Sequence, residues 1–330
     1  MAGVSDGVVV VGAGISGVAC ARVLREAGVP LRVLDRGERI GGRMAVRTEQ
    51  VDGGDHPVDV GAQYFTVSDQ RFAAVVEGWR SRGLARPWTD TFHLAGPDGL
   101  LGTTTGPVRW TSPHGLRALV EDLAAGLDVV HPAEAGEVAV HPGERPTLDG
   151  RAAAAVVLAM PDPLARALLP ARVADELELG EAGTWSPTIC VWAGWPERWW
   201  REIDAAFVRD SAVLTWIADD GRRRGDLAAV LVGHVAAVTA AGRLDDPDSA
   251  AGPVLDELGR ILAPGAAVPP PDWVRCHPWA LASALHLHER PFGLHEAGIG
   301  VCGDAWGPRS RVEQAWLSGH LLGEELVRTL

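Results

Sequence analysis

The sequence contains no lysine; all 30 of its basic residues are arginines. A Schiff-base lysine, a lysine general base and a Walker-type phosphate lysine are therefore excluded, because each needs a titratable or compact ammonium that a guanidinium does not provide. Cysteine is scarce: Cys20, Cys190, Cys276 and Cys302 lie far apart without CxxC spacing, which fits neither a disulfide framework nor a zinc site. Buried thiols in a reducing compartment are expected. No apolar run reaches the roughly 18 residues needed to span a bilayer. The first residues carry no basic region or leader cleavage site, since Val8-Val9-Val10-Val11 runs straight into a glycine turn. A cytoplasmic location is expected. The net charge of −13 repels phosphate backbones and anionic lipid, so neither nucleic acid nor a membrane surface is expected as a partner.

What is present is ordinary globular composition, 47% hydrophobic and 22% charged over 330 residues, enough for about two domains. Val8–Val11 is a β-branched strand run, Gly12-Ala13-Gly14-Ile15-Ser16-Gly17 follows, and Val18 to Ala27 has helical spacing. Leu31-Arg32-Val33-Leu34 reads as a second strand ending at Asp35-Arg36. In such a β-α-β unit Gly12 allows the tight turn, Gly14 lets a pyrophosphate approach the backbone, and Gly17 lets helix and strand pack closely. The helix N-terminus faces the phosphates, and Asp35, 23 residues after Gly12, stands where a carboxylate accepts a ribose hydroxyl.

Further strands are expected at Val129-Val130, at 155–159 and at 298–302, with a closing helix over about 312–327, completing one parallel sheet. Gly298, Gly300 and Gly303 also satisfy GxGxxG, but they lie along a strand and open no helix, so no second nucleotide site is assigned. The tryptophan-rich stretches 64–115 and 170–290 read as alternating strands and loops, with loops at 245–248 and 264–271. Arg222-Arg223-Arg224, after Asp219-Asp220-Gly221, reads as an exposed hairpin turn. His286, His288 and His295 lack the spacing of a metal site and are expected to pack or be solvated; no metal is expected.

Gly41-Gly42-Arg43-Met44 follows the second strand, and Asp59-Val60-Gly61-Ala62-Gln63-Tyr64-Phe65-Thr66 comes next. Here the sequence resembles the flavin amine oxidase superfamily, and looks most like its renalase branch. The resemblance continues through Trp110-Thr111-Ser112-Pro113-His114-Gly115-Leu116, Ala159-Met160-Pro161-Asp162-Pro163, Thr215-Trp216-Ile217-Ala218-Asp219-Asp220, and Gly303-Asp304 before Val312-Glu313-Gln314-Ala315. It implies an α/β fold in which a Rossmann-type, p-hydroxybenzoate-hydroxylase-like FAD-binding domain (1–63, 101–169 and 291–330) carries an inserted β-sheet-rich substrate domain (64–100 and 170–290), with the active site at their interface. It implies noncovalent FAD. The cofactor residues it carries over are the turn from Gly12 to Gly17, Asp35 and Arg36, Gly42, Arg43 and Met44 along the pyrophosphate, and Gly61, Ala62, Gln63 and Tyr64. Ala135 offers backbone to the adenine, Gly303 and Asp304 meet the ribityl and pyrophosphate portion, Met160 is a further cofactor residue, and the helix bearing Val312, Glu313 and Ala315 aims its N-terminus at the pyrimidine edge.

Amine oxidases of the superfamily often use a lysine held through water to flavin N5 and an aromatic cage commonly containing tyrosine. This chain has no lysine and one tyrosine, Tyr64. Renalase-like enzymes instead oxidise misreduced dihydronicotinamides. A hydride leaves the dihydropyridine for flavin N5 without a strong general base, and dioxygen takes the electrons to give hydrogen peroxide. Pocket candidates carried over are Tyr64, Gln63, Trp216, His234, as a partner for a carboxamide, and Trp279. Ala280-Leu281-Ala282 departs from the polar continuation usual after that tryptophan. The alternatives are an amine oxidase or dehydrogenase acting on a small metabolite, and a flavin-free binding protein like the Rab escort and GDP-dissociation proteins. Intact Gly12, Gly14, Gly17, Asp35 and Arg43 speak against the last.

Overall fold

The computed structural model describes residues 7–330; residues 1–6, where the expected first domain segment begins, lie outside the described residues. The chain forms two compact units, one of Met1–Met44, Arg117–Trp185 and Ser283–Leu330, the other of Ala45–Leu116 and Ser186–Ala282. These boundaries differ from the sequence expectation because 45–63 and 101–116 pack with the second unit, and 170–185 and 283–290 with the first. The cause is strand pairing and burial. Val58, in the stretch expected to belong to the FAD-binding domain, instead joins a core with Val60, Cys190, Trp192, Val230 and Val232.

The first unit is built on a six-stranded sheet in the order β17 (Gly293–His295), β18 (Ile299–Val301), β11 (Ala155–Leu158), β1 (Val8–Val11), β2 (Leu31–Leu34), β7 (Val129–Val130). It is parallel except for β17. A parallel sheet is covered on both faces, which is why its strands read as continuous apolar runs; all four residues of β11 are buried. The helices are α1 (Ile15–Glu26), α3 (Arg117–Ala124), α4 (Asp162–Leu168), α5 (Ala171–Glu176) and α9 (Val312–Thr329). α9 lies directly on α1. A Cβ at Gly319 would stand 1.8 Å from the Ser16 carbonyl oxygen and one at Gly323 3.0 Å from that of Cys20, so only glycine permits this approach. Three two-residue strands, β8 (Val138–Ala139), β9 (Thr147–Leu148) and β10 (Arg151–Ala152), form a small separate sheet.

The second unit holds a hairpin, β3 (Val46–Val51) with β4 (Gly54–Asp59), and a seven-stranded sheet. Its order is β16 (Trp273–Ala284), β12 (Trp185–Gly194), β15 (Val230–Val235), β14 (Leu214–Asp219), β13 (Ala205–Val208), β5 (Arg86–Gly96), β6 (Gly99–Thr111). Alternation along β15 separates two cores. Val230 and Val232 join Cys190, Trp192 and the hairpin on one face, while Leu231 and Val235 join Ile189, Val191 and α8 (Ala251–Leu262) on the other.

Four helices here, two of them long, break the strand-and-loop expectation. α2 (Gln70–Ser81) buries Phe72, Val76 and Trp79 and is capped by Asp69, whose side chain accepts from the Arg71 amide at 2.8 Å. α8 buries Val254, Leu258, Ile261 and Leu262, a helical period outweighed in the sequence by neighbouring glycine and proline. Leu258→Ala is expected to destabilise the protein by about 2–5 kcal/mol, as a cavity in a closed core does, and the urea-denaturation midpoint measures it. Between β14 and β15 the chain forms α6 (Asp220–Arg224), and α7 (Ala237–Ala240) follows β15. The exposed hairpin turn expected at Arg222-Arg223-Arg224 is thus a short helix, with Arg223 fully buried. Among the described residues no helix is long and apolar enough to cross a membrane, and all four cysteines are free thiols.

Candidate active site

In the first unit four chain segments meet at the glycine turn. Gly12 adopts φ +106°, and a Cβ there would stand 2.4 Å from the Ala159 carbonyl oxygen; one at Gly17 would lie 1.9 Å from that of Gly12. Gly14 differs, since a Cβ there meets nothing within 4 Å, and it precedes α1 without a side-chain cap. The Gly41 amide donates to the Ala13 carbonyl at 3.0 Å, and Gly42 faces Gly14, whose Cα is 3.5 Å from where a Gly42 Cβ would be. Arg43 donates to both carboxylate oxygens of Asp304, one bond measuring 3.2 Å, and stacks over Trp185 at 5.1 Å. The residues carried over as separate cofactor ligands are thus partners of one another. The Gly303 amide donates to the Ser318 hydroxyl of α9 at 3.1 Å, and the Met160 carbonyl lies 3.7 Å from a Cβ built at Gly303.

Asp35 ends β2 with one oxygen accepting from the Ala13 amide at 2.6 Å and the other from the Gly37 amide at 2.8 Å. Its carboxylate keeps lone pairs for hydroxyl donors. Ala133 donates to the Asp35 carbonyl at 2.7 Å, which brings the loop carrying Ala135 back to the strand end; Arg36 is exposed. Ile15, Ser16 and Met44 are buried around the turn. At the start of α9, Glu313 is buried and ion-paired with Arg311 at 2.6 Å, Val312 is half-buried and Ala315 is buried. An uncapped helix N-terminus, open space at Gly14 and a strand-end carboxylate suit a dinucleotide cofactor. Burial pushes the Cys302 thiol up to about 12, against a hydrogen bond with Ser16 that lowers it, so it is no ready nucleophile. Of the three histidines, His288 stacks on Trp306 at 3.7 Å and bonds Asp162 at 2.7 Å, and His295 bonds Glu176 at 2.7 Å.

In the second unit a depression of about 330 Å³ is lined by Gln63, Tyr64, Phe207, Thr215, Trp216 and His234. Trp216 and His234 are opposite one another on β14 and β15, and Phe207 is opposite Trp216 on β13, so the sheet register presents all three on one face. Tyr64 tilts against Trp216 at 5.5 Å, and Phe92 beneath meets Tyr64 at 5.3 Å and Trp216 at 4.9 Å. Burial pushes the Tyr64 hydroxyl pKa up. Burial, with the like charge of Arg223, pushes His234 down to about 4, so the ring is neutral at pH 7. His234 Nε2 and Trp216 Nε1 are both buried without a partner, and such groups call for a ligand or a water.

Trp279 is not among the residues that line the depression. Its indole donates to the Val60 carbonyl at 2.8 Å and its ring meets His277 edge-on at 4.6 Å, which ties it to the backbone just before Gly61 and Ala62. Phe207 and Thr215 line the depression without having been pocket candidates; Thr215 stood only in the motif that leads to Trp216, and the apolar run Ala205–Val208 is the signal for Phe207.

The charges behind the depression, read in the sequence as an exposed turn, form a buried network. Asp220, fully buried, accepts from Arg223 Nε at 2.9 Å and bonds His56 Nε2 at 2.8 Å. His56 Nδ1 bonds Asp226 at 2.8 Å. Arg224 pairs with Asp59 and donates to the Ser112 carbonyl at 2.6 Å. Acids and arginines adjacent in sequence beside a buried strand were the available signal.

Residues 10–78 match the family model of an NAD(P)-binding Rossmann-like domain, and residues 84–322 that of flavin containing amine oxidoreductase. Among solved structures the chain is similar to a protein of Exiguobacterium sp. 255-15 provisionally named a protoporphyrinogen oxidase, with 16% identity, TM-score 0.76 and 99% of each chain covered. It is also similar to putrescine oxidase bound to putrescine (17%, TM-score 0.72, 98% of this chain and 99% of that one). Cyclohexylamine oxidase from Brevibacterium oxydans IH-35A has the same coverage at 15% identity and TM-score 0.70. These likenesses establish a shared fold, and the family model, which spans most of the sequence, goes further: the chain belongs to the flavin-containing amine oxidoreductases.

Proposed function

We propose that the protein is a renalase-like FAD-dependent oxidase acting in the cytoplasm, taking a hydride from a small dihydropyridine-type substrate such as a misreduced isomer of a dihydronicotinamide. The observation that carries this reading is the aromatic depression of the second unit with its neutral His234 and two unpartnered ring nitrogens. A planar ring can lie over the aromatic surface that Tyr64 and Trp216 form together, and a carboxamide would give His234 Nε2 and Trp216 Nε1 the partners they lack. The reaction asks little of the protein as acid or base, and the lysine-free chain agrees with that. The substrate gives up a hydride and becomes an aromatic pyridinium, so that substrate, dioxygen and one proton yield pyridinium and hydrogen peroxide.

FAD, held noncovalently by the first unit, supplies the hydride-accepting nitrogen and the route of electrons to dioxygen. In the proposed binding mode the α1 N-terminus and the Gly14 backbone meet the pyrophosphate, Asp35 takes a ribose hydroxyl, and Arg43, held by Asp304, orients the phosphate-ribityl portion. Gln63 keeps its side chain for the protein: its amide donates to the Asp59 and Gly61 carbonyls at 2.7 and 3.0 Å.

The second reading, oxidation of an amine, is favoured by the family match and by aromatic walls that suit a cation. Anaerobic stopped-flow mixing with borohydride-generated dihydronicotinamide isomers separates the two. Rapid loss of the oxidised-flavin absorbance is expected with at least one isomer and not with simple amines. A flavin that stays oxidised with every isomer but bleaches with amines would overturn the dihydropyridine reading. Protein that remains colourless after FAD is added would sink both.

A further inference from the structure

We infer that Arg223 is a positioning residue for the aromatic depression, holding the backbone that carries Tyr64. The inference rests on the proposed role of the depression as the substrate site. Arg223 is fully buried, yet one of its nitrogens donates both to the Gln63 carbonyl at 3.0 Å and to the Gln63 side-chain oxygen at 2.5 Å. Its Nε donates to Asp220 at 2.9 Å, and Nη2 bonds the same oxygen. Gln63 spends its own amide on Asp59 and Gly61, so the chain from Asp59 to Gln63 is folded onto itself and fastened to α6 by Arg224 at Asp59 and by Arg223 at Gln63, next to Tyr64.

The same guanidinium reaches the aromatic wall from a second side. Its centre lies 5.9 Å from the Trp88 ring, Trp88 packs on Phe92 at 5.2 Å, and Phe92 supports Tyr64 and Trp216. The orientation of Arg223 is itself fixed. Asp220 takes two of its nitrogens on one oxygen and bonds His56 with the other. A planar fork can serve Asp220 and Gln63 at once, whereas the point charge of a lysine can reach one of them only.

Tyr64 is the sole tyrosine of the chain, so protein labelled with 3-fluorotyrosine gives a single fluorine resonance that reports its position without any substrate. In the FAD-loaded enzyme, Arg223→Lys is expected to shift and broaden that line while far-UV circular dichroism stays unchanged. Arg223→Met is expected to do so more strongly. Arg260→Met, on the exposed side of α8, should leave it in place as the control. With a substrate that reduces the flavin, KM should rise on the order of tenfold in Arg223→Lys, the loss of one charge-assisted hydrogen bond, with kcat nearly kept. A fluorine line identical to wild type in folded Arg223→Lys overturns the inference. A displaced line with KM unchanged leaves the positioning of Tyr64 standing and refutes the depression as the substrate site.

Discussion

Gly14→Ala is expected to strip the flavin from the protein without harming its fold, and Gly17→Ala to do both. The two positions lie three residues apart in one turn, yet their surroundings differ. A methyl at Gly14 meets nothing of the protein within 4 Å, so the only group it can hinder is one that enters the open space before α1. A methyl at Gly17 would sit 1.9 Å from the Gly12 carbonyl oxygen and 2.9 Å from the Ala159 Cβ. Both neighbours are fixed by backbone hydrogen bonds, Gly12 to the Leu34 carbonyl and Ala159 to that of Val11, so the turn itself must open. Intrusion on a bound phosphate costs about 1–3 kcal/mol, on the order of 10- to 100-fold in cofactor affinity. Overpacking against backbone at Gly17 costs the fold about 1–3 kcal/mol or more. Flavin absorbance per polypeptide and the melting temperature of the apoprotein check both outcomes. A Gly14→Ala protein that retains full flavin would contradict the proposed cradle.

Removing the carboxylate of Asp220 is expected to be the most damaging single change in the second unit. Although burial pushes this carboxyl up, the Arg223 and Arg224 guanidiniums and the hydrogen bond from His56 hold it well below the usual carboxylate range. Asp220→Ala would leave buried cations without their partner, which costs about 3–5 kcal/mol. Asp220→Asn keeps the shape without the charge and should recover little. The pH dependence identifies the origin of the loss. Burial alone would lower the His56 pKa, but the hydrogen bond and charge of Asp220, and then Asp226, raise it above the ordinary 6.5. A raised histidine contributes stability that is complete below its unfolded value and is lost as pH rises through its folded one. Wild type should therefore lose stability on going from about pH 6 to about pH 8, and the Asp220 variants should show a flatter profile. Urea midpoints across that range measure it. The depressed Asp220, by the same rule, holds its contribution until strongly acid pH.

The glycine turn between β1 and α1 was legible because its demands are local. A turn that lets one backbone touch another admits only glycine, and the strand and helix on either side of Gly12, Gly14 and Gly17 announce themselves by apolar period. The pairing of Arg43 with Asp304 was not legible, since it joins residues distant in sequence and each reads alone as a cofactor ligand. The ion network behind the depression was read with the wrong sign of exposure: three consecutive arginines after two acids look like a solvated turn, and nothing local says that Arg223 is enclosed. Tyr64, Trp216 and His234 meet because the register of β14 and β15 and the packing of Phe92 bring them together, which no single segment encodes. Trp279, chosen from the same resemblance, is occupied with the Val60 carbonyl.

The close seating of α9 on α1 has a consequence for how the molecule is made. Every residue of the second unit precedes Ser283, whereas the first unit needs β17, β18 and α9, all synthesised later. A chain emerging from the ribosome thus delivers the whole seven-stranded sheet before the nucleotide-binding sheet has all its strands, and domains tend to fold as they become complete. Asp304 cannot meet Arg43, nor Gly319 cover Ser16, until that last stretch is out. In the proposed binding mode, flavin uptake then waits for the α9 segment and follows the folding of the seven-stranded sheet.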